Sequence, residues 1–282
     1  MIKRMLFIFF LVSFMAPSIL FAESSESVEQ LSNDQINYNN SEIKLRVPQN
    51  NYKDKKFDLL IESDFFSEYV SKGLPCSKGP VWQPSITAEY YNIGVSLWAN
   101  FVLNDEPNQG QFNEIDIIPF YDLEIGKFTF IPAVDFMFGL NTDPASLNYM
   151  NHNVIRPQFH MAYQLGHFTP YTDFFLYVYP QNRFGLYTDF GANFNYVFTD
   201  FFQLDTSAQF AVGGKRWNSP RIADVGTKLN NFEYVMSLTF TVYKSFSIAP
   251  VMHIIITIPE QLRNSLDEPD FVWGGLILKY DI

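Results

Sequence analysis

A single cysteine, Cys76, is all the sequence holds, so no internal disulfide can staple the fold. Basic residues are scarce as well. The chain has 19 Lys and Arg against 30 Asp and Glu, a formal charge of −11, and nucleic acid is a poor partner for that balance because phosphates demand the opposite sign. Beyond the N-terminus no segment reaches the ~20 apolar residues that a membrane-crossing helix needs. Glycine never clusters into a phosphate-cradling loop followed by a helix. Cys76 has no Cys or His at ligand spacing and the acidic loops lack a calcium-loop pattern, so neither a metal nor a cofactor is expected.

What is abundant is aromatic and apolar character: 18% of residues are Phe, Trp or Tyr, and only 17% are charged. The first 22 residues place Lys3 and Arg4 before an apolar run from Met5 to Met15, then Pro17 and small residues ending at Ala22. That order predicts a secretory signal peptide over 1–22. Residues 23–56 are polar, rich in Asn and Ser and without sustained periodicity, which predicts a flexible leader that could also lie in a lumen.

From residue 57 to 282 the pattern alternates with period two, the mark of strands with one apolar and one polar face. Strands are expected at 57–70, 80–91, 93–104, 113–125, 128–139, 153–165, 168–179, 184–198, 201–212, 231–243, 246–258 and 271–282, twelve in all. Tight links alternate with longer polar connections such as 71–79, 141–152 and 213–230; 180–183 is the short exception. Short turns at one end and long loops at the other predict an all-β fold, a transmembrane up-and-down antiparallel barrel of about twelve strands, rather than a soluble sandwich. Pro84, Pro119, Pro132, Pro157, Pro170 and Pro250 fall inside these strands. Each removes a ladder hydrogen bond, so bulges or locally broken pairing are expected there.

Charge follows the alternation. The parity assigned outward carries no Asp, Glu, Lys or Arg, whereas the inward parity collects thirteen acids together with Arg156 and Lys279. A charge facing mid-bilayer costs about 2–4 kcal/mol for Lys or Arg, which accounts for the exclusion. Aromatic residues gather beside the tight turns, as in a girdle at a water–lipid boundary. The candidate pore-lining residues are Glu62, Asp64, Glu114, Asp116, Asp135, Arg156, His160, Asp173, Asp189 and Asp205. Carboxylates at a constriction favour cations, unless they are paired inside a lumen filled by side chains or by the leader. An enzyme is not expected. His160, beside Arg156 and Gln158, is the best-placed histidine, yet no nucleophile lies at the His-x-Ser spacing of lipase-like barrels. Two other readings stay open: a lipid-acting barrel enzyme, and a non-conducting surface or adhesion barrel whose loops at 141–152, 213–230 and 259–270 bind a partner.

The segment holding Tyr69, Val70, Lys72, Gly73, Gly79, Pro80, Val81, Gln83, Pro84, Ser85, Trp98 and Asn100 resembles the opening strands of the TorF-type porins. "FNEIDIIPFYDLEIG" resembles that family's next strand and "VWGGLILKYDI" its closing one. Lys72 stands where the family has Arg, and the long leader is not a family feature. The resemblance implies an outer-membrane barrel of a Gram-negative bacterium, acting as a channel. Its implied partners are outer-membrane lipid and lipopolysaccharide, the barrel-assembly machinery that reads the last strand, and small polar or cationic solutes. It also fits a last strand, 271–282, that pairs with 57–70.

Overall fold

The computed structural model describes residues 57–103, 113–140, 154–179, 183–218, 226–264, 266 and 268–282. The expected signal peptide and leader, the loop at 141–152 and most of the acidic tips at 104–107 and 267–270 lie outside the described residues. Strands β1 (Phe57–Phe66), β4 (Val81–Tyr90), β5 (Ile93–Val102) and β6 (Glu114–Tyr121) form one side of a continuous antiparallel sheet. It continues through β7 (Leu123–Ile125), β8 (Phe128–Gly139), β9 (Val154–Tyr163), β10 (Phe168–Tyr179), β11 (Arg183–Thr199), β12 (Phe202–Gly213), β13 (Lys228–Tyr243), β14 (Phe246–Thr257) and β15 (Asp270–Asp281). β6 and β7 both pair with β8 and act as one stave interrupted at Asp122. The remaining strands, β2 (Tyr69–Ser71) and β3 (Leu74–Ser77), form a separate two-stranded sheet.

The ring closes with twelve staves. β1 pairs with β4 on one side and with β15 on the other, in register from Leu60 opposite Asp281 to Phe66 opposite Gly275. This is the pairing expected between the first and last strands, and it removes the free edge that an open sheet would expose. Tight turns at one end use left-handed residues: Tyr91 (φ 55°), Gly126 (φ 67°), Gly166 (φ 66°) and Lys244 (φ 27°).

The outward parity is apolar on every stave. Ile61, Ile86, Leu97, Phe136, Phe159, Leu176, Phe210, Phe240 and Leu276 are all exposed, and no Asp, Glu, Lys or Arg occupies that parity between the strand ends. Rings gather near the tight turns: Phe198 and Phe202 stack at 5.0 Å, Phe202 and Phe240 at 5.1 Å, and Phe128 meets Tyr163 at 4.6 Å.

The six strand prolines all point outward, and they break pairing without bulging. Between β4 and β5 the ladder skips from Trp82–Phe101 to Ser85–Trp98 around Pro84. Between β6 and β8 it skips from Ile117–Phe136 to Phe120–Ala133 around Pro119. The β9–β10 and β13–β14 ladders likewise skip around Pro157 and Pro250. The register is the same on both sides of each gap. Proline lacks one N–H, so it loses its bond to one neighbour only, and Pro84 and Pro250 still pair with Ser63 and Leu276 on their other sides. The register shifts fall elsewhere, at Val197/Thr199, Ala211/Val212 and Thr241/Tyr243.

Two expectations are corrected. The first strand ends at Phe66 rather than at residue 70, because the chain leaves the wall there. β13 starts at Lys228 rather than 231, since the polar run Lys228 to Asn231 pairs with β12 and buries both asparagines.

Candidate functional site

Polar chemistry in the described residues concentrates inside the barrel, and it differs between the end with long connections and the end with tight turns. At the long-connection end the interior is crossed by the β2–β3 hairpin. The sequence reads 71–79 as an ordinary polar loop, but the structure folds it inward. Tyr69, Val70, Ser71, Lys72, Leu74, Cys76 and Ser77 are all buried. Its turn is Lys72–Gly73, with φ of 49° and 78°, the two left-handed residues that a two-residue hairpin requires. That Lys-Gly pair, with apolar Leu74 and Cys76 just after it, was the available signal.

The hairpin spans the bore. Tyr69, Val70 and Cys76 pack with Val81, Ala249, Val251, Phe271 and Trp273 on the side where the hairpin leaves the wall. Leu74, near the tip, packs with Met137, Val154, Phe175, Tyr177, Tyr187 and Trp217. Lys72 Nζ donates to Asp189 Oδ2 at 2.7 Å, with their side chains 4% and 2% exposed, and sits 3.9 Å from the centre of the Phe175 ring and 5.1 Å from that of Tyr187. Gly73 abuts Asn231, whose Oδ1 accepts from Tyr187 Oη at 2.9 Å.

Beneath the same hairpin lies a second buried pair. Arg156 Nη2 donates to Asp135 Oδ2 at 2.5 Å with both side chains fully buried, and Arg156 Nη1 donates to Tyr177 Oη at 3.2 Å. Glu114 and Asp116 are also fully enclosed nearby, and Gln83 Nε2 donates to Asn100 Oδ1 at 2.9 Å. Trp217, from the short helix α1 (Lys215–Asn218), closes this end: it lies 4.5 Å from the Tyr187 ring and against the backbone of Gly185, where a Cβ would collide with it.

Toward the tight turns the interior is more open. His160 Nδ1 meets Asp173 Oδ1 at 2.6 Å, with side chains 13% and 18% exposed. Asp205 accepts from Asn195 (2.5 Å), Gln203 (2.7 Å) and Thr239 (3.2 Å). Nearer the long-connection end of β13, buried Glu233 links His253 at 3.4 Å to Gln209 at 2.9 Å, and Gln209 in turn accepts from Tyr171 at 2.6 Å. Lys279 pairs with Glu62 at 3.0 Å.

All ten sequence candidates therefore project inward, but they do not form one group. Glu114, Asp116, Asp135, Arg156 and Asp189 fall in the dry region under the hairpin, with Asp64 also buried. His160, Asp173 and Asp205 line the more open part, and Glu62 is paired with Lys279. Lys72, Tyr69, Tyr187 and Trp217 were missed because each depends on a loop returning into the bore. Among the described residues no group of three or more His, Cys, Asp or Glu could hold a metal ion.

No family model and no curated protein matches the chain. Solved structures of similar architecture include the KdgM porin, with a TM-score of 0.49 and 9% identity over 78% of this chain and 98% of that one. The NanC porin aligns with a TM-score of 0.48 and 7% identity over 78% and 97%. The COG4313 outer membrane channel from Pseudomonas putida F1 aligns with a TM-score of 0.46 and 7% identity over 84% and 100%.

Proposed function

We propose that this chain is an outer-membrane channel for small polar or cationic solutes. The observation that carries the reading is the division of the wall: an outward face without charge on any of twelve staves, around an interior that holds the carboxylates. Water would not tolerate so large an apolar exterior on a monomer, whereas lipid requires it. The ring closure leaves no unpaired sheet edge in the hydrocarbon, which is the other condition for spanning it. A polar interior in such a barrel is a route for solute, and rings of Asp and Glu select cations. The interior acids Asp173 and Asp205 lie in the more open part of the bore, where a solute would meet them. Export by a signal peptide, insertion by the barrel-assembly machinery through strand 271–282, contact with lipopolysaccharide and membership among the TorF-type porins belong to the same reading. The test is planar-bilayer conductance of the purified barrel under a salt gradient. Conductance with a reversal potential of cation-selective sign is expected. Absence of any conductance, or anion selectivity, overturns the reading.

A further inference from the structure

Lys72 carries an ammonium into a pocket that the opposite wall has built for one. Counting staves around the ring from β1, the strands β10 and β11 are the seventh and eighth of twelve, so the residues that receive Lys72 face the point where its hairpin departs. Around the ammonium stand a carboxylate oxygen of Asp189 at 2.7 Å and the ring faces of Phe175 and Tyr187. Aromatic faces within ~6 Å of a cation attract it, more strongly when water is absent. A neutral solute has nothing to offer Asp189, and an anion is repelled by it. Arg156 also approaches the Phe175 ring, at 5.4 Å, but its guanidinium is held by Asp135 and Tyr177, so it does not compete for Asp189.

The hairpin is held to the wall by side-chain packing and the Lys72–Asp189 pair rather than by a strand ladder. Its two strands bond to each other and form a sheet apart from the barrel, so their release breaks no stave pairing. We infer that Asp189, Phe175 and Tyr187 form a binding site for a primary alkylammonium, and that Lys72 fills it as a tethered ligand that keeps residues 69–77 across the bore. A free alkylammonium solute competes with Lys72, releases the hairpin and widens the passage. This rests on the channel reading for its consequence, but the site itself does not. A short tether supplies its ligand at an effective concentration in the millimolar range, so a free amine competes from that range upward.

Cys76 reports the hairpin's position. It is the chain's one cysteine, 3% exposed inside the plug, and its burial pushes the thiol's pKa up, so a maleimide labels it slowly while the hairpin is docked. The experiment uses the full chain folded in lipid vesicles and follows labelling of Cys76. n-Butylammonium chloride should speed labelling by about tenfold or more over sodium chloride at equal ionic strength, as expected when a competing ligand displaces a tethered one. Lys72→Met should label rapidly without amine, and Asp189→Asn should label rapidly and ignore it. Equal acceleration by sodium, or labelling of Lys72→Met as slow as that of the unmodified chain, overturns the inference. If neither variant folds, the amine dependence of the unmodified chain decides alone. Conductance is recorded in parallel. Amine-dependent labelling without conductance keeps the site and overturns the channel, whereas conductance with amine-independent labelling keeps the channel and overturns the site.

Discussion

Arg156 and Asp135, under the hairpin, have no solvent contact at all, whereas Lys279 and Glu62, nearer the tight turns, pair with the lysine side chain 35% exposed. Both are inward ion pairs on the same alternation, yet they answer to different physics. A pair sealed from water has already lost its hydration, so its charges depend on protein partners, among them each other and Tyr177. In the second pair Glu62 is also buried, at 6% exposure, and only the lysine keeps part of its hydration. The same contrast separates Asp189, locked by Lys72, from Asp205, which is held by neutral amides and a hydroxyl and keeps its charge available. One end of the interior is built to exclude, the other to present charge.

The sharpest way to break this comparison is to remove the cation from each pair. Arg156→Met should lower stability by about 3–5 kcal/mol, because a buried carboxylate is left without its partner. Lys279→Met should cost less, because the ammonium it removes is partly hydrated, although Glu62 beside it is buried. Denaturant midpoints of the vesicle-inserted barrel measure both, and similar losses would refute the distinction. A smaller contrast belongs to the outward face. Leu97→Arg, at the middle of β5, should cost about 2–4 kcal/mol, and Phe198→Arg, beside a tight turn, about 0–1 kcal/mol, if lipid covers the middle and its boundary lies at the rings. Equal costs would place both positions in one environment.

Asp205→Asn removes a charge from the open end without removing a buried counter-ion. It should shift the reversal potential toward lower cation preference while leaving the unfolding midpoint nearly unchanged. An unchanged reversal potential would mean that solute does not sense this end. The least effect is expected at Glu68, in the link from β1 to the hairpin, whose carboxyl is held above its ordinary range by burial, with Glu268 adding to the shift and Lys78 opposing it. A carboxyl raised in the folded state gives its stabilisation at low pH and loses it as pH rises through the folded value. Glu68→Gln should therefore flatten the decline in stability above the ordinary carboxylate range, measured as the unfolding midpoint against pH. A wild-type midpoint that rises over that window would contradict the assigned direction.

The staves were legible because outward-facing and inward-facing positions alternate along most of each strand. Runs such as Phe128, Phe130, Pro132, Val134, Phe136 and Phe138 leave no second parity to choose. The direction of each acid followed from the same alternation, which is why all ten candidates point inward. What alternation cannot convey is which inward residues meet across the bore. Lys72 sits in a segment whose composition reads as a loop, and its partner Asp189 lies 117 residues away. Period two also carried the first strand through Tyr69 and Val70, since they continue the pattern after the chain has left the wall. The prolines looked like defects in a closed ladder. Their shared outward parity, readable from the sequence, places their rings outside the packed interior, while the loss of one bond each is confined to a single neighbour.

The seam between β1 and β15 bears on the order in which the molecule forms. It joins residues such as Ser67 and Gly274, separated by 207 positions, while most other stave pairs are neighbours in sequence. Local hairpins can zip early, but this contact must wait for the whole ribbon to curl, as contacts of long sequence separation generally do. The plug arises from β1, one side of the seam, and docks on the locally paired β10–β11 strands, so what waits for the ribbon to curl is the meeting of the two. Docking of Lys72 on Asp189, across 117 residues, therefore belongs with the seam among the late, long-range contacts.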